Sequence, residues 1–283
     1  MDAVQLDILN HKLQERKVNK IDVFDIDGTL FKGRLLLNLI YALCSKLPER
    51  RYLLPLLQDR YEFWRYGAIS THDLFEIAVK MADEGFFEGL DRREVEPIAV
   101  EVALNCRRVV YPFTSTLLKL MSEREAQHQG LVVAITGAPI EVAKVFCAGY
   151  GFDVVLSVFY DVDRNQRYTA KRDLDAGIYK GKVLEFISVA SGIRYQDSIG
   201  IGDSEADIGI FERVGYPIGI NPTSGLLKYI RSNRRIGFVS DSEKKGVQMF
   251  RATQEGGFEE VVVNAILPTH LAEKFPRMPG MRY

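Results

Sequence analysis

Asp25 and Asp27 stand two residues apart at the end of the apolar run Ile21-Asp22-Val23-Phe24, and Gly28-Thr29 follow them. Alternate residues of a strand share a face, so a strand through this run aims both carboxylates into one site and turns Asp22 elsewhere. The Gly-Thr pair then lets the chain turn away sharply. Two anions at that spacing repel, and the arrangement calls for a cation, a shared proton or a task in catalysis. Three later segments follow the same logic. Leu131 to Ile135 reads as a buried strand ending in Thr136-Gly137-Ala138-Pro139, ahead of a helical pattern from Ile140 to Tyr150. A hydroxyl and free backbone N–H groups at such a junction suit a phosphate oxygen. Ser198 to Gly202 is a third short strand, closed by Asp203-Ser204-Glu205-Ala206-Asp207. Its two aspartates have the i, i+4 spacing that places them on one side of a starting helix. Lys180-Gly181-Lys182 precedes a periodic helix from Val183 to Ala190 and offers positive charge for phosphate.

Asp-x-Asp, then Thr, then Lys, then Gly-Asp-x-x-x-Asp, in that order and at strand or helix ends, are the four motifs of the haloacid dehalogenase (HAD) superfamily, which this chain resembles over about residues 21–222. Within it, the long insert between the first two motifs and the segment Val214 to Pro222 resemble the phosphoserine-phosphatase-like subfamily, whose cap is helical. The resemblance assigns the motif lysine to Lys180, with Lys182 as the alternative.

The resemblance implies a Mg²⁺-dependent phosphatase acting on a small phosphorylated metabolite. Phosphate ester hydrolysis needs a nucleophile, a proton for the leaving oxygen and positive charge over the equatorial oxygens. Asp25 serves as nucleophile and forms an aspartyl-phosphate. Asp27 gives a proton to the leaving group and later takes one from water. Asp25 and Asp203 are the expected side-chain ligands of Mg²⁺, with the Asp27 carbonyl added by the family pattern. Asp207 supports the metal indirectly, and Thr136, Gly137 and Lys180 form the phosphate clamp.

Two departures from the phosphoserine branch bear on substrate. That branch places a Glu nine residues after the nucleophile to meet an amino group, and here that position is Arg34. It also prefers Ser-Gly-Gly at the second motif, where this chain has Thr136-Gly137-Ala138. Arg34 is therefore the candidate for substrate specificity, favouring an anion over an ammonium, or else a solvated side chain beside a hinge. Phosphoserine hydrolysis and phosphotransfer to another alcohol are the alternative activities. A phospho-accepting or ligand-binding protein without turnover is the alternative of another class; the second acid, Asp27, and the helical insert argue against it.

The elements that must position these groups alternate between strand and helix, which predicts an α/β fold with a doubly wound parallel sheet whose ligands lie outside the carboxyl ends of the strands. Residues 1–33 and 109–240 form the expected core, 34–108 an inserted helical cap, and 241–283 an extension of unassigned role. A short helix carrying Ala3, Leu6, Leu9 and Leu13 is expected to pack against the body. Cap helices are expected at Leu35 to Lys46, Arg51 to Tyr66, Asp73 to Glu84 and Arg92 to Cys106, with Ser70 starting the third. Beyond the cap come a helix over Ser115 to Gln127 and strands at Val154 to Phe159, Pro217 to Ile220 and Ile236 to Val239. Phe63, Trp64 and Tyr66 either line an apolar pocket or pack cap against core.

At 283 residues the chain can bury one substantial core and a smaller second unit. A net charge of −1 gives no electrostatic case for nucleic acid or an anionic membrane. Basic clusters such as Arg50-Arg51 and Arg231 to Arg235 read as solvated surface. The 3 cysteines, Cys44, Cys106 and Cys147, lack metal-ligand spacing and fit free thiols in a reducing compartment, so a cytoplasmic location is expected. Residues 1–20 lack the apolar core of a signal peptide. The longest apolar stretch, Leu35 to Cys44, falls well short of the roughly 20 residues that span a bilayer. No Gly-x-x-x-x-Gly-Lys-Ser/Thr loop is present, and the four histidines, His11, His72, His128 and His270, stand alone.

Overall fold

A computed structural model of the chain describes residues 3–16, 18–66, 71–128, 130–172, 177 and 179–282. Helix α1 (Ala3–Arg16) leads into strand β1 (Lys20–Phe24), all five of whose residues are buried. The helical segment follows as α2 (Leu35–Lys46), a 3₁₀ turn over Pro48–Leu53, α3 (Leu54–Arg65), α4 (Thr71–Asp83) and α5 (Arg92–Cys106). Pro48 fixes the backbone at the start of the 3₁₀ turn, and the helix expected from Arg51 begins at Leu54 instead. The expected start at Ser70 lies outside the described residues.

After α6 (Pro112–His128), strand β2 (Gly130–Pro139) enters the sheet and runs directly into α7 (Ile140–Cys147). Strand β3 (Val154–Val158) is followed by a hairpin of β4 (Tyr160–Val162) and β5 (Tyr168–Arg172), which the sequence reading did not anticipate. Helix α8 (Lys180–Ser191) ends at Gly192 in the left-handed conformation. Strand β6 (Ile199–Gly202), a 3₁₀ turn over Glu205–Asp207, α9 (Ile208–Phe211), β7 (Tyr216–Ile220) and α10 (Ser224–Ser232) complete the alternating part. The chain then forms β8 (Gly237–Ser242), β9 (Gly246–Ala252), β10 (Phe258–Glu260) and α11 (Thr269–Ala272).

One 8-stranded sheet has the order β10-β9-β8-β7-β6-β1-β2-β3. Strands β8, β7, β6, β1, β2 and β3 pair in parallel, as expected of a doubly wound core. Strands β9 and β10 are antiparallel, so the sheet is mixed and residues beyond 240 extend it. Alternation along β1 sorts its side chains. Ile21 and Val23 face one apolar layer with Leu9 of α1 and residues of α8, α9 and α10, while Phe24 faces the other with α2, α5, α6 and α7. Asp22 is buried in an ion pair with Lys20 (2.7 Å) and accepts a hydrogen bond from the Ile199 N–H (2.7 Å), away from the strand tips.

The second layer is continuous across the expected cap boundaries, since residues of α2, α4 and α5 share it with the sheet and α7. The β4–β5 hairpin is held to the start of α5 by backbone hydrogen bonds from Arg92 to Gln166 (2.8 Å) and from Tyr168 to Leu90 (3.0 Å). Cys44, Cys106 and Cys147 are buried and free. Among the described residues, no helix is long and apolar enough to cross a membrane.

Candidate active site

Beyond the last residue of β1, the Asp25 N–H still donates to the Ile201 carbonyl (2.9 Å), so Asp25 is held in register with β6. The Ile26 carbonyl then accepts from Leu30 and Phe31 (both 2.9 Å), closing a tight loop that returns the chain toward α2. Gly28 makes this turn at φ +90°, and a Cβ there would run into the Asp203 carboxylate. The Asp27 carboxyl lies at the N-terminus of α2, where its Oδ1 accepts from the Leu35 N–H (2.8 Å).

Two elements distant in sequence complete the group. Gly181, in the first turn of α8, packs against the backbone of Gly209 so closely that a Cβ on it would come within 3.0 Å of the Gly209 Cα. This approach brings Lys180 beside the loop after β6. Its Nζ donates to Asp25 Oδ1 (2.6 Å) and to Asp207 Oδ1 (2.6 Å). The other Asp207 oxygen accepts from the N–H groups of Asp203 and Ser204 (both 3.0 Å), which braces the loop that carries Asp203. Lys182 sits over the Tyr179 ring (4.9 Å), so the geometry brings Lys180 to the carboxylates and leaves Lys182 outside them.

Asp25, Asp27, Arg34, Gly137, Lys180 and Asp203 share the wall of one cavity of about 980 Å³. Thr136 does not reach that wall. It is wholly buried, and its hydroxyl accepts from the Ala138 N–H (3.1 Å), because β2 continues past Ile135 to Pro139 with an irregular register instead of ending in a turn. That hydroxyl keeps its own proton to donate. Arg34 is not a solvated side chain: on the cavity wall, its Nη1 donates to the Asp27 carbonyl and its Nη2 to Asp203 Oδ2 (3.2 Å), with the side chain 15% exposed.

The remaining wall is mixed, with Leu36, Ile77 and Val79 beside Arg60, Glu76, Lys80, Asp83, Tyr160 and Arg172. Arg172 reaches Asp83 (2.7 Å), linking β5 to α4 across the cavity. Sequence reasoning missed Tyr160 and Arg172 because it missed their hairpin. Phe63 and Tyr66 are exposed, at 50% and 80%, and neither line the cavity nor pack cap against core; the Trp64 side chain lies outside the described residues.

Burial dominates the electrostatics. It pushes Asp27 up to about 7 against the opposing charge of Arg34. Burial, and next the Asp25 charge, raise Asp203 to about 8, and burial raises Asp25 while Lys180 opposes it. Burial alone would lower Lys180, but Asp207 and Asp25 outweigh it and hold the ammonium above lysine's usual value. Asp25 Oδ2 and Asp203 Oδ1 are buried with no hydrogen-bond partner among the described residues. Oxygens of Asp25, Asp203 and Asp207 lie within 4.8 Å of one another. Unpartnered carboxylate oxygens beside a carbonyl match the oxygen donors that Mg²⁺ prefers, so the residues present fit such an ion. Both Asp207 oxygens are already engaged, which leaves Asp25 and Asp203 as the side chains with capacity to spare.

The family model for haloacid dehalogenase-like hydrolases matches residues 23–212. No curated protein sequence matches the chain. Among solved structures, a protein of unknown function from Bordetella pertussis Tohama I is 16% identical with a TM-score of 0.55, over 76% of this chain and 96% of that one, a likeness of fold. A HAD family hydrolase from Salmonella enterica subsp. enterica serovar Typhi is 14% identical with a TM-score of 0.49, over 80% and 74% of the two chains. A phosphoserine phosphatase, solved as an analogue of its phospho-aspartyl intermediate, is 17% identical with a TM-score of 0.48, over 74% and 89%.

Proposed function

Since the chain belongs to the haloacid dehalogenase-like hydrolase family, we propose that it is a Mg²⁺-dependent phosphomonoesterase that passes the phosphoryl group of a small metabolite through Asp25. The observation that carries this reading is the convergence of Asp25, Asp27, Lys180 and Asp203 on one cavity wall, with Lys180 2.6 Å from Asp25. Asp25 attacks phosphorus and the ester oxygen leaves; water then attacks the aspartyl-phosphate, releasing phosphate and restoring the carboxylate. Asp27 donates the proton that the leaving oxygen needs and takes one from the attacking water. A carboxyl pushed up to about 7 is matched to both tasks near neutral pH. Lys180 stabilises charge on the transferred group, with Gly137 on the same cavity wall as the rest of the phosphate clamp, and Thr136, buried behind it, braces that segment through the Ala138 N–H. Mg²⁺ would be held by the carboxylates of Asp25 and Asp203 and the Asp27 carbonyl, where its charge would favour the ionised Asp25 and offset that on phosphate.

Segment 34–108 acts in this reading as the cap that selects substrate. Arg60, Lys80 and Arg172, beside acids and the apolar Leu36, Ile77 and Val79, offer the substrate both charged and apolar contacts. Buried free thiols support a reducing, cytoplasmic setting. Transfer to an alcohol instead of water uses the same site, and product analysis with an added acceptor separates the two. The reading is tested by hydrolysis of a generic aryl phosphate with Mg²⁺ and with a chelator, in the parent and in Asp25→Asn. Metal-dependent turnover that Asp25→Asn abolishes is expected; turnover retained by that variant overturns the reading. A Mg²⁺-supplemented panel of phosphorylated metabolites then identifies the substrate.

A further inference from the structure

Arg34 occupies oxygens that a divalent cation would take from this site. Its guanidinium donates to the Asp27 carbonyl and to Asp203 Oδ2, yet it leaves Asp203 Oδ1 and Asp25 Oδ2 without partners. Resting on the phosphatase reading, we propose that Arg34 is a displaceable internal cation, which competes with the divalent metal for the Asp27 carbonyl and the Asp203 carboxylate and must leave them when the metal binds.

Three features support the exchange. The two cations cannot share those oxygens, because like charges at such separations in a buried site repel strongly. Asp203 has little room to swing away, since its Oδ2 is packed against Gly28 so closely that a Cβ there would overlap it, so a cation taken up by its unpartnered Oδ1 would sit beside the guanidinium held at Oδ2. Arg34 itself has a way out. It precedes the first turn of α2 with extended backbone (φ −131°, ψ 113°), and its side chain already lines the cavity of about 980 Å³. The arrangement at this position fits an exchange: the guanidinium sits among several carboxylates and satisfies only part of their oxygen lone pairs.

Affinity for the metal is then set partly by the cost of moving Arg34, and removing the guanidinium lowers that cost. The test is Mn²⁺ binding followed by electron paramagnetic resonance, with Mg²⁺ calorimetry alongside, on the full chain without substrate. Arg34→Gln should bind Mn²⁺ at least tenfold more tightly than the parent, and Arg34→Lys, which keeps the charge but loses the planar fork, should fall between them. Metal-free Arg34→Gln should melt below the parent, and saturating Mg²⁺ should close the gap. If Arg34→Gln does not fold, Arg34→Lys decides by the same comparison. Equal or weaker binding by the variants, in a parent that binds Mn²⁺ and hydrolyses aryl phosphate, overturns this inference alone. A parent that binds no divalent metal removes the metal from the phosphatase reading, and the inference with it.

Discussion

Asp27 carries two loads in the proposed mechanism, and the geometry separates them by atom. Its carbonyl faces Arg34, and its carboxyl accepts from the Leu35 N–H at the start of α2. Asp27→Asn keeps an oxygen for that N–H, so the fold should be retained while acid–base catalysis is lost. Aryl phosphate turnover should fall by roughly 10²–10⁴, the usual range for a positioned acid or base, with an unchanged melt. Lys180 is a different case. Its removal strands Asp25 and Asp207 in a buried site, so Lys180→Ala should abolish turnover and lower unfolding free energy by roughly 3–5 kcal/mol. Lys182→Ala should change stability by no more than about 0.5 kcal/mol, and denaturant titration of the two variants distinguishes them. The acids and the lysine were legible because strand-tip spacing and a helix start constrain where short linkers can aim them. Arg34 was not: a long side chain chooses among partners within reach, and nothing local in the sequence reports that Asp203, 169 positions away, is one of them.

At the scale of elements, helices with a clean apolar period were readable to the residue, as α2 and α5 are. The β4–β5 hairpin was not, because its strands are short and Asp163-Arg164-Asn165-Gln166 between them reads as an unstructured polar loop. The structure makes it a turn, with Gln166 at φ 64° and Asp163 Oδ1 accepting from Asn165 and Arg167 (2.8 and 2.9 Å). That hairpin abuts Asp91, which caps α5 by accepting from the Arg93 N–H (2.9 Å). The Arg93 side chain and N–H hold the Asp91 carboxyl down at about 2. A folded-state value below the unfolded one of about 3.9 means that the charge stabilises fully above pH ~4 and that the contribution is lost as pH falls through about 2. Asp91→Asn, which keeps a cap but not the charge, should melt a few degrees below the parent at pH 7. The gap should narrow as pH falls from ~4 and close only below pH ~2, as melts across the range will record; a gap that persists below that would assign the effect to packing.

For the molecule as a whole, the parallel half of the sheet was legible from continuous apolar runs, which buried parallel strands require. Its antiparallel edge was not, since β9 mixes buried and half-buried residues in a stretch that carries no motif and reads only as an extension of unassigned role. The extension beyond 240 is bound into the core. Asp241 accepts from the Phe113 N–H (2.9 Å), its backbone N–H donates to the Asn221 side chain (2.9 Å), and Phe275 packs against Phe113 with tilted rings whose centroids are 5.0 Å apart. Phe275→Ala should therefore cost roughly 3–5 kcal/mol in denaturant unfolding, a core-sized loss from a segment to which the sequence assigned no role. All of this architecture serves to hold strand tips and α8 around one carboxylate. The measurement that tests the central claim most directly is acid quenching during aryl phosphate turnover in the presence of Mg²⁺, followed by peptide mass spectrometry. The account predicts a phosphoryl group on Asp25, none on Asp27, and none anywhere in Asp25→Asn. A phosphoryl group on another residue, or full turnover by Asp25→Asn, would contradict it.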